Sequence, residues 1–257
     1  MGKIIAISNQ KGGVGKTTTS MNLAAGIAYL DKKVLLVDFD QQANATQGIG
    51  AKKVGFDKNI YTVLMGTDSV EDATVHLEKP PIDVVPATVH LAGAETDMAH
   101  LENRKETLLK AKLDEVKDKY DFIIIDCPPA LGNLNINALT AADSVLIPVQ
   151  CEYYALEGLN LLLSTIRMVQ KLWNPHLTIE GVLLTMHSNT KLSIEVQQEV
   201  KKYFKDKVYK TYIPRNVRLS EAPSNECSIF EYDLRCAGAV AYANLADEVI
   251  KQNEGRF

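Results

Sequence analysis

Residues 10–18 read Gln10-Lys11-Gly12-Gly13-Val14-Gly15-Lys16-Thr17-Thr18 and follow directly on the apolar run Lys3-Ile4-Ile5-Ala6-Ile7-Ser8, which has the pattern of a buried strand. A strand that runs into a glycine-rich loop and then a helix is a phosphate-binding arrangement. The general pattern G-x-x-x-x-G-K-[ST] requires glycine where this chain has Gln10, whereas Gly15, Lys16 and Thr17 fit it. Gly12, Gly13 and Gly15 free the backbone around Val14 to turn successive N–H groups inward onto phosphate oxygens. A helix starting near Lys16 and running through Thr18 adds its positive end. Lys16 supplies a point charge to the terminal phosphates, and the Thr17 hydroxyl is placed for a magnesium ion, which prefers oxygen ligands. The alternative is a glycine-rich turn with no ligand. Lys11 adds a second lysine at the front of the loop. Lys16 already neutralises the phosphates and a nearby cation would repel it, so Lys11 is expected either to act on a second subunit's nucleotide or to be a solvated loop lysine.

The rest of the chain supplies a frame for this loop. Strand-like apolar runs at 3–8, 33–38, 82–86, 121–126, 144–149 and 179–185 alternate with segments whose apolar residues recur every three or four positions. Val34-Leu35-Leu36-Val37 and Phe122-Ile123-Ile124-Ile125 are continuous rather than alternating, as in strands covered on both faces. The expected fold is therefore α/β, a P-loop NTPase with a mostly parallel twisted sheet and helices on both faces, and residues 1–257 are expected to form one domain. The loop at 10–18 and the acidic segments at 38–40 and 126–129 all fall just after strand ends, so one edge of the sheet is expected to carry the chemistry.

A net charge of -4 and a pI near 5.8 exclude a globally basic nucleic-acid binder, so any DNA contact must be local. Cys127, Cys151, Cys227 and Cys236 form no C-x-x-C pair and are expected as thiols in a reducing cytoplasm. No apolar run approaches the ~20 residues of a membrane span, and neither a membrane partner nor a targeting segment is expected.

The loop, read as K-G-G-x-G-K-T-[TS], resembles that of the deviant Walker A ATPases. Leu35-Leu36-Val37-Asp38-Phe39-Asp40 resembles their D-x-D strand, and Phe122-Ile123-Ile124-Ile125-Asp126-Cys127-Pro128-Pro129 their Walker B strand. The strings 149–158 and 213–224 narrow the resemblance to chromosome and plasmid partition ATPases of the ParA/Soj type, over Lys3 to about Val249. The resemblance implies a slow, partner-stimulated, magnesium-dependent ATP hydrolase. Lys11 would reach across an ATP-bridged homodimer, Asp40 would position the attacking water, and Asp126 would hold magnesium together with Thr17. The plain alternative for Asp40, read from its neighbours, is a helix N-cap or turn residue. The adenine side is implied at Pro214, Arg215 and Asn216. Gln41 and Ala43 stand where relatives usually have proline and glycine.

The resemblance further implies non-specific duplex DNA and a ParB-type centromere-binding protein as partners, with a cytoplasmic, nucleoid-associated location. Between residues 201 and 218 seven basic residues face one acid, Asp206. Lys201, Lys202, Lys205 and Arg218 in this run, with Lys191 ahead of it, are the candidate DNA contacts; a solvated helix face is the plain alternative. Near position 189 relatives commonly carry an arginine–threonine pair that includes a DNA-contacting arginine, whereas this chain reads His187-Ser188-Asn189-Thr190-Lys191, one residue shorter; Lys191 is the candidate substitute, with different donor geometry. A membrane-positioning ATPase of the MinD type shares the loop but ends in a basic amphipathic helix, whereas residues 241–251 here mix small and apolar residues with two acids, as in a packing helix. An iron-sulfur reductase would need paired cluster cysteines, which Cys127 and Cys151 do not match.

Overall fold

A computed structural model describes residues 2–100, 105–152 and 157–254, so Tyr153 to Leu156 of the 149–158 string lie outside the described residues. The strands are β1 (Lys3–Ile7), β2 (Val34–Asp38), β3 (Val75–His76), β4 (Asp83–Val85), β5 (Phe122–Asp126), β6 (Ser144–Gln150) and β7 (Thr178–Thr185). They form one sheet in the order β3-β4-β2-β5-β1-β6-β7, parallel throughout except for the pairing of β3 with β4. The helices are α1 (Lys16–Ala28), α2 (Asn44–Gly48), α3 (Ala51–Val54), α4 (Ile60–Leu64), α5 (Leu91–Ala99), α6 (Leu108–Asp114), α7 (Asn133–Ala141), α8 (Glu157–Leu172), α9 (Lys191–Phe204), α10 (Arg218–Ser224), α11 (Ile229–Tyr232) and α12 (Ala237–Asn253).

The strand side chains alternate between two apolar layers. Ile5, Ile7, Leu36 and Ile124 meet Leu23 and Ile27 of α1 and Tyr242 and Leu245 of α12. Ile4, Ala6, Leu35, Val37, Ile123 and Ile125 meet Leu109, Leu113, Leu134, Ala138, Leu162 and Ile166 on the other face. Burial on both faces explains why the β1, β2 and β5 sequences read as unbroken apolar runs. The expected α/β architecture with helices on both faces is what the structure holds, and α12 is a packing helix against α1. A Cβ at Gly26 would lie 3.0 Å from that of Ala246, so glycine permits the close approach of these two helices. At the amino-terminal ends of the strands a buried ion pair between Lys3 and Glu180 (3.0 Å) takes further hydrogen bonds from Ser144 and Asn253, joining β1, β6, β7 and α12.

The six apolar runs correspond to β1, β2, β4, β5, β6 and β7. The two-residue β3 has no such run, because an edge strand this short needs only its backbone to pair. One further segment extends the other edge. The Tyr209 N–H donates to the Val182 carbonyl (3.0 Å) and the Ile213 N–H to Leu184 (2.8 Å), so residues 209–215 run beside β7. The buried Tyr209 ring occupies the space over Gly181, where a Cβ would come within 2.4 Å of it. Gly181→Ala is expected to cost about 1–3 kcal/mol by displacing this ring, measured by denaturant unfolding against the parent chain.

Candidate nucleotide-binding site

Register builds the site. In the parallel pairings Ile7 faces Asp126, and Asp126 faces Asp38, so the glycine loop and both acidic motifs leave the sheet from one row. Gly13 and Gly15 have positive φ (74° and 85°), a conformation that glycine adopts without strain, and Gly15 is the N-cap of α1. Gly15 has no side chain with which to cap that helix, so its first N–H groups remain available to an anion. Asn9 holds the loop in place by donating to the Pro148 carbonyl (2.7 Å) and accepting from the Lys11 N–H (3.0 Å). Thr185 holds it from the other side by donating to the Val14 carbonyl (2.9 Å).

Lys16 is 7 % exposed and its ammonium donates to the Lys11 carbonyl at 3.1 Å. Burial pushes its pKa down, and nearby acids including Asp126 and Asp40 oppose that shift. Asp126 is fully buried. Its Oδ1 accepts from Ser20 at 2.8 Å, while Oδ2 has no hydrogen-bond partner among the described residues. Burial raises its pKa, and the neighbouring Asp38 raises it further against the hydroxyls of Ser20 and Thr17. An unpartnered buried carboxylate oxygen beside the Thr17 hydroxyl fits a magnesium ion with waters completing the shell.

The two acids of the D-x-D segment divide their tasks. Asp38 is buried and accepts from the Thr46 N–H and hydroxyl, both at 2.7 Å, and from the Asp40 N–H at 3.2 Å. Burial raises its pKa as well, against these hydrogen bonds. Asp40 accepts from the Gln42 N–H at 3.0 Å, a turn contact, and also lines the cavity in front of the loop. It does not cap α2, whose N-cap is Ala43 in the left-handed region (φ 51°). Ala43 thus holds, at some strain, a conformation that suits glycine better.

That cavity measures about 370 Å³ and is lined by Gly12, Gly13, Gly15, Lys16, Thr17, Thr18 and Asp40, with Gln42, Asn44, Pro129 and Met186 completing it. A second cavity of about 270 Å³ shares Gly15, Thr18 and Met186 with it and is bounded by Pro214, Arg215, Asn216 and Leu219. The segment 213–215 is fixed there by backbone bonds, His187 N–H to the Ile213 carbonyl (2.9 Å) and Arg215 N–H to the His187 carbonyl (3.2 Å). One polar and one more apolar compartment, joined at Gly15, match the triphosphate and base ends of a nucleotide. Of the sequence-derived nucleotide residues, Gly12, Gly13, Gly15, Lys16, Thr17 and Thr18 line the first cavity and Pro214, Arg215 and Asn216 the second, while Val14 is buried beneath the loop. Lys11 does not line them; its ammonium lies 3.3 Å from Glu152.

The candidate DNA contacts are spread out. Lys191 opens α9, 3.8 Å from Glu195, whereas Lys201 and Lys202 lie exposed in its last turn and Lys205 is its C-cap. Lys201 lies ten helical steps beyond Lys191, about 15 Å away. Arg218 opens α10 and is paired with Glu221 (2.8 Å) and Asp233 (3.6 Å). Sequence reasoning did not reach Ser20, Thr46, Thr185 and Met186. Ser20 lies one helical turn after Lys16, a spacing that puts both on one face of α1 and could have pointed to it. Thr46, Thr185 and Met186 reach the site through tertiary packing, which leaves no spacing signal.

The buried Asp126 yields a pH dependence. The folded chain keeps its proton well above ~3.9, where an unfolded aspartate releases it, so the folded state binds more protons and stability falls as pH rises through that window. Asp126→Asn carries no such charge. The nucleotide- and magnesium-free variant is expected to exceed the parent in stability by a margin that widens from about pH 5 to about pH 8, reaching roughly 1–3 kcal/mol. Denaturant titrations of both proteins across that range check this.

Residues 2–179 match the AAA domain family. Across 97% of this chain and 98% of the relative, the sequence is 60% identical to the sporulation initiation inhibitor protein Soj of Bacillus subtilis. It is 48% identical to the chromosome partitioning protein ParA of Myxococcus xanthus, over 98% of this chain and 89% of that one. Among solved structures, cobyrinic acid a,c-diamide synthase from Mycobacterium smegmatis with bound ATP analog and magnesium superposes with a TM-score of 0.88 at 33% identity, covering 100% of this chain and 97% of that one. With its glycine loop, paired acidic strands and parallel sheet, the chain belongs to the ParA/Soj family of chromosome-partitioning ATPases.

Proposed function

We propose that this chain is a magnesium-dependent ATP switch for DNA partition: ATP joins two copies face to face, with Lys11 of each reaching the other's phosphates. The dimer holds duplex DNA without reading its sequence, and a ParB-type partner stimulates hydrolysis and release. The observation that carries the ATPase reading is the convergence of Lys16, Thr17 and Asp40 on one cavity, with the Asp126 carboxylate buried behind it. The relatives named Soj and ParA supply the partition context, and their identity to this chain far exceeds that of the amide-forming synthase.

The chain's residues divide the work. Loop N–H groups and the first turn of α1 bind phosphate oxygens, and Lys16 exchanges its bond to the Lys11 carbonyl for one to phosphate. Bound magnesium would supply charge neutralisation, held by Thr17 and, directly or through water, by Asp126. Asp40 orients a water for in-line attack. An aspartate is a weak base at neutral pH, so turnover is slow until a partner organises the site, as a timing switch requires. Pro214, Arg215 and Asn216 border the base. Exposed Lys201, Lys202 and Lys205 offer phosphate-backbone contacts, with Lys191 at the other end of α9 and Arg218 able to join if it leaves its acidic partners. The protein would act in the cytoplasm on the nucleoid.

Lys16→Ala is expected to abolish ATP binding by calorimetry; retained affinity would remove the loop assignment. Asp40→Ala should bind ATP, lose turnover and accumulate as a dimer, and normal hydrolysis by this variant would move the water-positioning role elsewhere. In that trapped state, Lys201→Ala with Lys202→Ala should weaken duplex binding equally for unrelated sequences and reduce the log–log salt slope by about 0.9 for each DNA phosphate no longer neutralised. Unchanged binding at every salt concentration would leave these lysines as a solvated face.

A further inference from the structure

We propose that Glu152 is a latch on Lys11, keeping the first lysine of the loop within its own subunit until nucleotide binds and so setting the threshold for ATP-dependent dimerisation. The latch rests on the trans role of Lys11 in the proposed switch. Lys11 Nζ lies 3.3 Å from Glu152 Oε2. Glu152 is itself braced, for its other oxygen accepts from Gln150 Nε2 at 2.5 Å and its N–H donates to the Gln150 carbonyl at 2.8 Å. Gln150 ends β6, the strand beside β1, so the two halves of the ion pair stand just beyond adjacent strand ends. Asn9, bonded to the Pro148 carbonyl, fixes their spacing.

The backbone of Lys11 is held as well. Its N–H donates to Asn9 Oδ1 and its carbonyl accepts the ammonium of Lys16. To serve a second subunit, the side chain must therefore swing away from Glu152 while its main chain stays in the loop. Entering phosphates compete for Lys16 and release the Lys11 carbonyl, while their charge repels the carboxylate of Glu152. A partner's phosphates then offer Lys11 a denser anion in a drier interface than a single, half-exposed carboxylate can. The side chains of Lys11 and Glu152 are 33% and 47% exposed, so solvent screens their pairing and the latch is weak enough to open. Glu152 is thus a positioning residue that acts through Lys11.

The test measures dimerisation against protein concentration by analytical ultracentrifugation at saturating ATP, in full-length Asp40→Ala protein. Adding Glu152→Gln is expected to tighten the dimer roughly three- to tenfold, as for one partly exposed ion pair released in each of two subunits. ADP affinity of the monomer should stay unchanged, and Glu152→Asp, which keeps the charge, should remain near the parent. A residue that merely supports the local fold would weaken the dimer when altered. Unchanged or weaker dimerisation of Glu152→Gln overturns the latch. Lys11→Gln in the same background separates the two ideas. If it dimerises as well as the parent, or if the parent does not dimerise with ATP, the trans role fails and the latch with it. If it stays monomeric while Glu152→Gln behaves like the parent, only the latch fails.

Discussion

Two carboxylates, Asp38 and Asp126, are register partners on adjacent parallel strands, and both are fully buried. Burying like charges together is costly unless something offsets them, and the surroundings of this pair are organised around that need. Asp38 is satisfied by the Thr46 N–H and hydroxyl, and Thr46 in turn accepts from the Ala87 N–H, which ties the start of α2 to the chain beyond β4. One oxygen of Asp126 has no hydrogen-bond partner among the described residues, and Lys16 is buried nearby. A folded chain that tolerates such an arrangement has a place prepared for a cation and an anion together.

The same row of strand ends brings in the loop. Because β5 lies between β2 and β1, residues far apart in sequence leave the sheet as neighbours, and the loop between β1 and α1 arches over them. The loop is clamped from both flanks, by Pro148 at the end of β6 through Asn9 and by Thr185 at the end of β7 through the Val14 carbonyl. Beyond β7, Met186 holds a left-handed backbone (φ 50°), uncommon for a residue other than glycine, and sits where the two cavities meet. Backbone bonds from its neighbour His187 hold the 213–215 segment that closes the second cavity. Phosphate end and base end are thus coupled through one turn.

Much of this was legible beforehand, for physical reasons that differ by element. Parallel strands buried on both faces must be continuously apolar, so β1, β2, β5 and β6 announce themselves; the two-residue β3 buries little and does not. Gly13 and Gly15 mark the loop because only glycine adopts its positive φ freely, and Lys16 and Thr17 stand at a spacing that phosphate geometry imposes. The pair Asp38 and Asp40 was legible as acids at a strand end. Which of them turns inward to hold α2 and which lines the cavity depends on the contact of Asp38 with Thr46, eight residues on, which no local spacing encodes.

By itself, then, the sequence determined the loop, the alternation of strands and helices, and the acidic strand ends, since each follows from local backbone and burial requirements read within a few residues. Only the assembled fold sets Asp126 opposite both Ile7 and Asp38, Arg218 against Asp233, and Lys11 against Glu152. These are contacts between groups on different elements, set by strand order and helix packing, and only folding brings their charges within range of one another.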